Sequence, residues 1–441
     1  MLVKLPKEVS KIMSKIQTSG FECYIVGDCI KESVLGKNPF GWDLSTNAGL
    51  EDLKKLFPEA EVLSEKLSVI RLEYIEEIKD KDGEVKGETG IIVDIATYRE
   101  ANQSEKPMLQ DGEKAITINE DLERRDFTIN AIAENQNGIV DPFGGRSDIR
   151  QKLVKAVGDA DSSFKKEPIR MLKAVRLAAE LDFDLHKSVY EAIVANHNLL
   201  GSVSVSKIRD EFTGIISADG AAGKGLSMLM GTGLIAAVIG QNVVDGLTKR
   251  EMQDLTVLSQ NIDRTQPVED RRLGLFFACI GKKKIKPVIE SFNFDEKTHQ
   301  HLIDAVSDMP KLYFVGTKPE LKKFIYKKGW DRYEYMTNLE KAQRLIFEYF
   351  SETKIRSKMH LLQEVQTNRE PIFPEDLKID ANDLVEAGIC KKEDTEKLLN
   401  MITEEIHTHP KKNNREQLLK LAKTYSKSKL LAMFRGISWS K

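Results

Sequence analysis

A strand, a glycine turn, a helix and a second strand are expected in close succession between residues 23 and 46, and this order restricts the fold more than any other feature. Residues 23–26 are apolar, Gly27 opens a tight turn, and a helical segment follows that ends at Gly36. The second strand carries Asp43. Backbone N–H groups at the start of such a helix face outward, and the helix dipole favours an anion there. An acidic side chain on the neighbouring strand could hold a metal ion against a bound phosphate, although the same pattern also occurs where the turn is only structural.

Residues 121–133, DLERRDFTINAIA, form the most specific signal in the chain. Two arginines, an aspartate, a hydroxyl group and an asparagine precede an apolar segment. Guanidinium groups bind phosphate oxygens through paired N–H donors, and short polar side chains suit the hydroxyl groups of a ribose. The composition of this segment therefore indicates a nucleotide site.

Together these two stretches resemble the tRNA nucleotidyltransferase (CCA-adding enzyme) and poly(A) polymerase family. The RRDFTINA motif of that family is present at residues 124–131 without a change. The family's head pattern is close to VGGxVRDxLLG followed by DxD, and it is matched with three departures. Asp28 stands at the second glycine, Lys31 at the arginine, and Gly41 at the first aspartate of DxD. The sequence from residue 379 resembles the family's tail motif, so the resemblance spans nearly the whole chain.

The resemblance implies roles for individual residues of the head. It places six residues at the nucleotide site: Gly27, Asp28, Lys31, Arg125, Asp126 and Asn130. Arg125 and Asp126 would contact the nucleotide and its sugar, while Asn130 would order the local turn.

Asp43 and Asp94 are the carboxylates that the resemblance assigns to catalysis and to Mg²⁺. Asp94 precedes a run, IATYR, that is similar to the one following an acidic residue in the family. Two magnesium ions commonly serve nucleotidyl transfer, bridged by carboxylates from adjacent strands. With Gly41 at the first DxD position, the chain offers only Asp43 of that pair. One hypothesis is that Asp28 partly substitutes, although it would then lie beside a triphosphate of like charge.

The helix expected from Glu167 to Leu181 carries an acid and an arginine on one side, because Glu167 and Arg170 are three residues apart. In the family, an acid and an arginine of an E-D-x-x-R-x-x-R pattern hydrogen-bond the edge of cytosine or adenine in place of a template. Here Arg170 is retained, whereas Lys166, Glu167 and Lys173 are substitutions. The resemblance assigns Glu167, Arg170 and Lys173 to nucleotide binding. The alternative interpretation is that Glu167 and Arg170 form a surface ion pair.

The totals of the chain set broad limits on its class. A length of 441 residues suggests about three domains. A net charge of −2 with 31% charged residues means that affinity for nucleic acid must come from local basic clusters. The four cysteines show no metal-ligand spacing, and no apolar run approaches the ~18 residues that a membrane span needs. These features predict a cytoplasmic protein without a membrane segment and leave the oligomeric state open.

The predicted fold is an α+β nucleotidyltransferase head with a small mixed sheet like that of polymerase β, followed by an all-α neck, body and tail. Residue spacing predicts helices at 6–19 and 49–57, and alternating β-branched residues predict strands at 69–75 and 91–98 around a DKDGE hairpin tip. The predicted domains are a head (1–145), a neck with the nucleotide-selecting helix (146–215), a body (216–365) and a tRNA-binding tail (366–441).

Two basic regions of the helical part are predicted to face RNA. The first interleaves lysines with aromatic residues, offering phosphate contacts beside stacking rings, and the second follows the tail motif. The lysines assigned to RNA are Lys322, Lys323, Lys327, Lys328, Lys411 and Lys412. The alternative for the first region is an amphipathic helix with a solvated lysine face. The segment LGLFFACIGK resembles a phosphohydrolase helix of some relatives, but Ala278 and Cys279 replace its His and Asp, so no such activity is predicted.

The resemblance implies template-independent addition of CMP and AMP, from CTP and ATP, to the 3′ end of tRNA with Mg²⁺ as cofactor. Two alternatives stay open. A poly(A) polymerase shares the head motifs, and a catalytically impaired paralogue that binds RNA would explain Gly41 together with the other departures. Whether CCA, CC or A alone is added is not determined by the sequence.

Overall fold

The computed structural model describes residues 3–39, 41–79, 85–98 and 117–427. Two compact units divide the chain, Met1–Gln241 and Asn242–Lys441. The finer division into head, neck, body and tail stays a prediction.

A mixed seven-stranded sheet forms the first part of the first unit. Its strands are β1 (Cys23–Val26), β2 (Gly41–Thr46), β3 (Glu61–Ser64), β4 (Val69–Lys79), β5 (Val85–Thr97), β6 (Ala133–Asn135) and β7 (Gly138–Val140). The order across the sheet is β3-β4-β5-β2-β1-β6-β7. β2 and β5 run parallel, and the other neighbouring pairs are antiparallel. A separate parallel pair joins β8 (Leu153–Val154) and β9 (Asp184–Leu185).

Helices account for most of the remaining described residues of the first unit. They are α1 (Lys7–Thr18), α2 (Asp28–Val34), α3 (Leu50–Leu56), α4 (Ile118–Glu123), α5 (Gly145–Arg150), α6 (Ala160–Lys166), α7 (Ile169–Leu181), α8 (Lys187–Asn196), α9 (Val205–Ser217), α10 (Ala222–Thr232) and α11 (Ile235–Ile239), with α12 (Gln241–Asp245) at the division between the units. A 3₁₀ turn at Thr128–Asn130 lies within the RRDFTINA segment.

The described residues of the second unit form helices and turns without a strand. The helices are α13 (Lys249–Asn261), α14 (Glu269–Ala278), α15 (Lys282–Ser291), α16 (Glu296–Ser307), α17 (Met309–Tyr313), α18 (Lys318–Lys328), α19 (Trp330–Ile346), α20 (Glu352–Thr367), α21 (Ala381–Glu386), α22 (Thr395–Thr408) and α23 (Arg415–Ser426). Across the described parts of both units, every helix is too short or too polar to cross a bilayer.

The predicted fold class, a mixed-sheet head followed by a mostly helical part, is confirmed. The predicted neck is not entirely α-helical, because the short parallel pair of β8 and β9 lies within it. The strand predicted at residues 23–26 has those bounds, and the first predicted helix is Lys7–Thr18. The helix predicted from Glu167 begins at Ile169, because Pro168 occupies its N-cap. The DKDGE tip lies outside the described residues.

Alternating burial along β2 separates the two faces of the sheet. Trp42 and Leu44 are buried, whereas Gly41 and Asp43, which alternate with them along the strand, are exposed. Successive side chains of a strand point to opposite faces. The apolar side chains of β2 therefore anchor the strand in the core while Asp43 stays on the open face.

A close backbone contact fixes the RRDFTINA segment against α5. A Cβ atom at Gly145 would lie 2.1 Å from the carbonyl oxygen of Thr128, inside any permitted contact. The Thr128 hydroxyl group donates a hydrogen bond to Asp148 Oδ2 of the same helix at 2.7 Å. The first two N–H groups of this helix donate hydrogen bonds to the Asp141 carboxylate. Glycine at position 145 is therefore required by this packing.

We expect Gly145→Ala to lower the free energy of unfolding by about 1–3 kcal/mol, because the added methyl group meets a backbone carbonyl that cannot rotate away. Gly41→Ala is the matched control, since a Cβ at that exposed position meets nothing within 4 Å. The control should be neutral or stabilising by about 0.4–1 kcal/mol. Urea denaturation followed by circular dichroism measures both, and equal stability of the two variants would contradict the close packing.

Candidate active site

Asp43 and Asp94 lie side by side on the open face of the sheet. β2 and β5 are parallel neighbours, and Asp43 is in register with Asp94. Residues in register on neighbouring strands point to the same face, and such strands lie about 4.8 Å apart. The structure therefore brings together the two carboxylates that were predicted to hold a metal ion.

The turn at Gly27 joins these carboxylates to the RRDFTINA segment. Gly27 has a φ of +74°, which an L side chain rarely adopts. A Cβ atom there would lie 3.3 Å from Asp43 Oδ2 and 3.7 Å from Arg125 Nη1. The absence of a side chain lets a carboxylate and a guanidinium group approach one turn. Three separated stretches of sequence thus converge at one place.

A buried ion pair holds Arg125 in position. Arg125 Nη2 lies 2.9 Å from Asp121 Oδ2, and its Nη1 donates to the carbonyl oxygen of Asn130 at 3.3 Å. Asp121 is fully buried and also accepts a hydrogen bond from Ser45 of β2 at 3.2 Å. Arg125 is 8% exposed, so its guanidinium group shapes the site from inside. Its contact with a nucleotide stays a prediction.

Asp121 is a site residue that the sequence analysis missed. Its position four residues before Arg125 places both side chains on one face of a helical turn, and that spacing was the available signal. The spacing alone does not reveal burial, which depends on the packing of β2 against α4.

Asp126 and Lys173 connect the RRDFTINA segment to α7. The Asp126 carboxylate forms a salt bridge with Lys173 and accepts hydrogen bonds from the Phe127 N–H at 2.8 Å and from Asn130 Nδ2 at 3.1 Å. Burial alone would raise the pKa of Asp126, but the charge of Lys173 and these hydrogen bonds outweigh it and lower the pKa to about 2. Two residues predicted to bind the nucleotide therefore bind each other.

Asn130 places an unsatisfied acceptor beside this carboxylate. Asn130 is 8% exposed, and its Oδ1 has no hydrogen-bond partner among the described residues. A buried acceptor without a donor is costly, so the position favours a ligand hydroxyl or amine.

Glu167 and Arg170 form the ion pair that was the alternative interpretation of this helix. Arg170 Nε lies 2.5 Å from Glu167 Oε2, and Glu167 is largely exposed. Arg170 also donates to Ser163 Oγ at 2.9 Å and to the carbonyl oxygen of Arg124 at 3.5 Å. The start of α7 is thus tied to the RRDFTINA segment, and a role in selecting the base stays a prediction.

Two departures from the family pattern pair with one another. Lys31 is buried, and its Nζ lies 2.6 Å from Asp28 Oδ1. In the described part of the chain, no three carboxylate, imidazole or thiol groups are placed to share a metal ion. The hypothesis that Asp28 partly substitutes for the missing carboxylate gains no support from this arrangement, because Asp28 Oδ1 is paired with Lys31.

Arg71 is a second residue that the sequence analysis did not single out. It lies on β4 in register with Asp94, and its Nε and Nη2 bind the two oxygens of that carboxylate at 2.7 and 2.9 Å. These hydrogen bonds and the charge of Asp94 raise the pKa of Arg71. The register of β4 against β5 decides this contact, and the sequence shows only that Arg71 belongs to a strand.

Part of the predicted RNA surface is internal to the second unit. Lys322 is fully buried, and its Nζ lies 2.7 Å from Glu370 Oε2. Lys328 is mostly buried and pairs with Asp304 and Asp308. The prediction of an RNA contact is wrong for Lys322, because α18 packs against neighbouring helices and turns this ammonium group inward.

Other members of the predicted RNA surface are accessible. The exposed lysines are Lys323, Lys327, Lys411 and Lys412. Trp330 is also exposed, at 42%, whereas Tyr333 and Tyr335 are buried and cannot stack on bases. The first basic region is therefore closer to the amphipathic helix that was its alternative.

Comparisons with known sequences identify two families that match the first unit of the chain. The family described as "Poly A polymerase head domain" matches residues 23–155, which include both carboxylates and the RRDFTINA segment. The family described as "Probable RNA and SrmB- binding site of polymerase A" matches residues 182–240.

Individual relatives are named CCA-adding enzymes. The protein of Geobacillus kaustophilus is 30% identical over 305 residues, which are 68% of this chain and 70% of that protein. The protein of Lactobacillus delbrueckii subsp. bulgaricus is 32% identical over 203 residues, and the matched region spans about half of its length, 48%.

A solved structure has the same fold over almost its full length. The crystal structure of the Bacillus stearothermophilus CCA-adding enzyme in complex with CTP has a TM-score of 0.72 and is 22% identical. The superposition covers 95% of this chain and 97% of that one. At this identity, the likeness concerns the fold.

We expect Asp121→Asn to lower the free energy of unfolding by about 3–5 kcal/mol, because it removes the buried carboxylate that pairs with Arg125. The matched control is Glu51→Gln, which removes an exposed partner of Lys54 at 3.1 Å. The control should change stability by no more than about 0.5 kcal/mol. Urea denaturation compares the two, and a neutral Asp121→Asn would show that this pair does not anchor the site.

Lys173→Met should destabilise the fold more at pH 7 than at pH 3. In the unmodified chain the pKa of Asp126 lies below its ordinary value, so the pairing contributes stability above about pH 4 that is lost as the pH falls toward 2. Without Lys173, burial opposes ionisation of Asp126 and its pKa rises. Protonation of this carboxyl at low pH therefore removes the loss of stability in the variant. Denaturation at both pH values measures the difference. The exposed Lys187→Met should show no such change, and a pH-independent loss for Lys173→Met would count against the pairing.

Proposed function

Because this chain belongs to the CCA-adding enzyme family, we propose that it transfers CMP and AMP from CTP and ATP to the 3′ end of tRNA without a template. The observation that carries the proposal is the meeting of Asp43 and Arg125 at the Gly27 turn, with Asp94 in register beside Asp43. This arrangement supports the proposal, because anionic groups for a metal ion and a cationic group for a triphosphate lie close together.

The reaction joins the 3′ hydroxyl oxygen of the RNA to the α-phosphorus of the nucleotide. The bond from that phosphorus to the bridging oxygen breaks, pyrophosphate leaves, and the hydroxyl proton is released. Asp43 and Asp94 are the groups of this chain that would hold Mg²⁺. Two adjacent carboxylates fit one ion, and water and phosphate oxygens would supply its remaining ligands. The ion, when bound, would activate the hydroxyl and neutralise charge on the triphosphate.

The nucleotide would lie against the RRDFTINA segment. Asn130 Oδ1, which has no hydrogen-bond partner within the described part of the chain, and the ionised carboxylate of Asp126 are acceptors suited to sugar hydroxyl groups. Gly27 leaves space for the phosphates, and the Arg125 guanidinium group lies beside that space. The pair of Asp28 with Lys31 keeps the adjoining helix start close to neutral, which limits repulsion of the triphosphate.

Base selection would be the task of the start of α7. Glu167 offers carboxylate acceptors and Arg170 offers N–H donors, as the edges of cytosine and adenine require. Lys173 binds Asp126, and Arg170 reaches the carbonyl oxygen of Arg124, so the helix and the sugar-binding segment are linked directly. The base and the sugar would therefore be read by one connected structure.

Binding of tRNA would involve the exposed lysines of the second unit. Lys323, Lys327, Lys411 and Lys412 can contact phosphates without leaving the fold. A cytoplasmic location fits this substrate and the four cysteines, which are free of disulfides.

A catalytically impaired RNA-binding paralogue is the second candidate. It is favoured by Gly41, which removes a carboxylate from the pattern, and by Arg71, which occupies both oxygens of Asp94. A single assay separates it from the first candidate.

We expect incorporation of labelled CMP into a tRNA transcript that ends at the discriminator base, followed by AMP when ATP is also supplied. Addition limited to CC or to A would identify a partial CCA activity. Long tails made from ATP alone would identify a poly(A) polymerase, and no incorporation under any condition would favour the impaired paralogue.

In the same assay, Asp43→Asn should reduce the rate by about 100-fold or more, because the reacting groups lose their alignment. Asp52→Asn is its control, as Asp52 is a partly exposed partner of Lys55 outside the site. Thermal melting should show that both variants are folded. Equal rates for the two variants would contradict the role of Asp43.

A further inference from the structure

Arg71, Asp94 and Asp43 form one row across three neighbouring strands. Arg71 is in register with Asp94, and Asp94 is in register with Asp43, so all three side chains point to the same face of the sheet. The guanidinium group binds both oxygens of Asp94. A fixed positive charge therefore lies next to the two carboxylates that would hold the metal, on the Asp94 side.

The next residue of β2 on this face is Gly41, where the family pattern has a carboxylate. Gly41 does not have a positive φ, and a Cβ atom there would meet nothing within 4 Å. Neither the backbone nor the available space requires glycine. The missing carboxylate and the added guanidinium group are thus two changes in the charge of one face.

We propose that Arg71 is a built-in cation of the catalytic site that takes the place of one of the two divalent ions, so that a single Mg²⁺ is bound. This inference rests on the function proposed above and deepens it. Arg71 acts through Asp94 and is a positioning residue: it holds that carboxylate and supplies a charge that a second ion would otherwise provide.

The charges agree with this substitution. Three carboxylates with two divalent ions carry one net positive charge, and so do two carboxylates, one guanidinium group and one divalent ion. Counted over these groups alone, the net charge next to a triphosphate would be the same in both arrangements. Fewer carboxylates also mean less affinity for a second ion, because Mg²⁺ is held by carboxylate oxygens and phosphates.

Neighbouring charges keep Arg71 in place. Glu61 of β3 is in register with Arg71, and Glu73 follows two residues later on the same face of β4. Both carboxylates are exposed, and Asp94 contributes the two short hydrogen bonds. The strongest contact of Arg71 is thus the one with Asp94.

Counting bound ions tests the inference without turnover. Mn²⁺ is titrated into the full chain and followed by electron paramagnetic resonance, with α,β-methylene CTP below the protein concentration so that the analogue stays bound. We expect one Mn²⁺ per bound analogue for the unmodified chain and two for the double variant Gly41→Asp/Arg71→Gln. Without the analogue, Arg71→Gln should bind Mn²⁺ about three- to tenfold more tightly, since Asp94 no longer has a competing cation.

Two further variants separate a charge effect from a structural one. Arg71→Lys keeps the charge and should retain one ion. Arg176→Gln removes a comparable guanidinium pair with Glu211 at 2.7 Å, away from the row, and should also retain one ion. Two ions in the unmodified chain, or one ion in the double variant, would overturn the inference. Either count is independent of CMP incorporation, so a failure of the proposed function would be recognised separately in the tRNA assay.

Discussion

The buried pair of Asp121 with Arg125 is the interaction on which the site depends. A carboxylate removed from water is stable only when its charge is matched and its oxygens are hydrogen-bonded. Ser45 on β2 and Arg125 at the start of the RRDFTINA segment meet that requirement together. The same arginine then lies beside the Gly27 turn. One buried charge thereby connects the strand that carries Asp43 with the segment that carries the sugar-binding groups.

The head of the chain was predictable to the extent that its information is local. The strand at residues 23–26, the Gly27 turn and the amphipathic first helix follow from spacing and from glycine chemistry, and the structure has them. The register between β4 and β5 was not predictable, because periodicity assigns residues to a strand without naming their partners. Arg71 was missed for that reason, although its contact with Asp94 alters how the metal site is understood. Lys322 was predicted to lie on the surface because its neighbours in sequence are basic and aromatic. It is buried instead, where it binds Glu370, 48 residues later in the chain.

The departures from the family pattern are compensated in pairs. Asp28, which introduces a negative charge beside the expected triphosphate, binds Lys31 within the same helix. Asp94 has no second carboxylate nearby at position 41, where the family pattern has an aspartate and this chain has Gly41. It binds Arg71 instead. In both places the counter-charge is supplied by another side chain of this chain. Considered separately, each departure would be only the loss of a residue of the family pattern.

The register that places Asp94 also limits how this part of the protein can change length. Val93 and Ile95 are buried on either side of Asp94, and β5 is paired on one edge with β4 and on the other with β2. An insertion of one residue within β5 would turn the aspartate into the apolar interior and push an isoleucine into water, on both edges at once. Extra residues would be tolerated between β4 and β5, where they need not disturb the pairing. Homologous chains should therefore differ in length between these two strands. They should have no insertion or deletion between the residues that correspond to Val93 and Ile95.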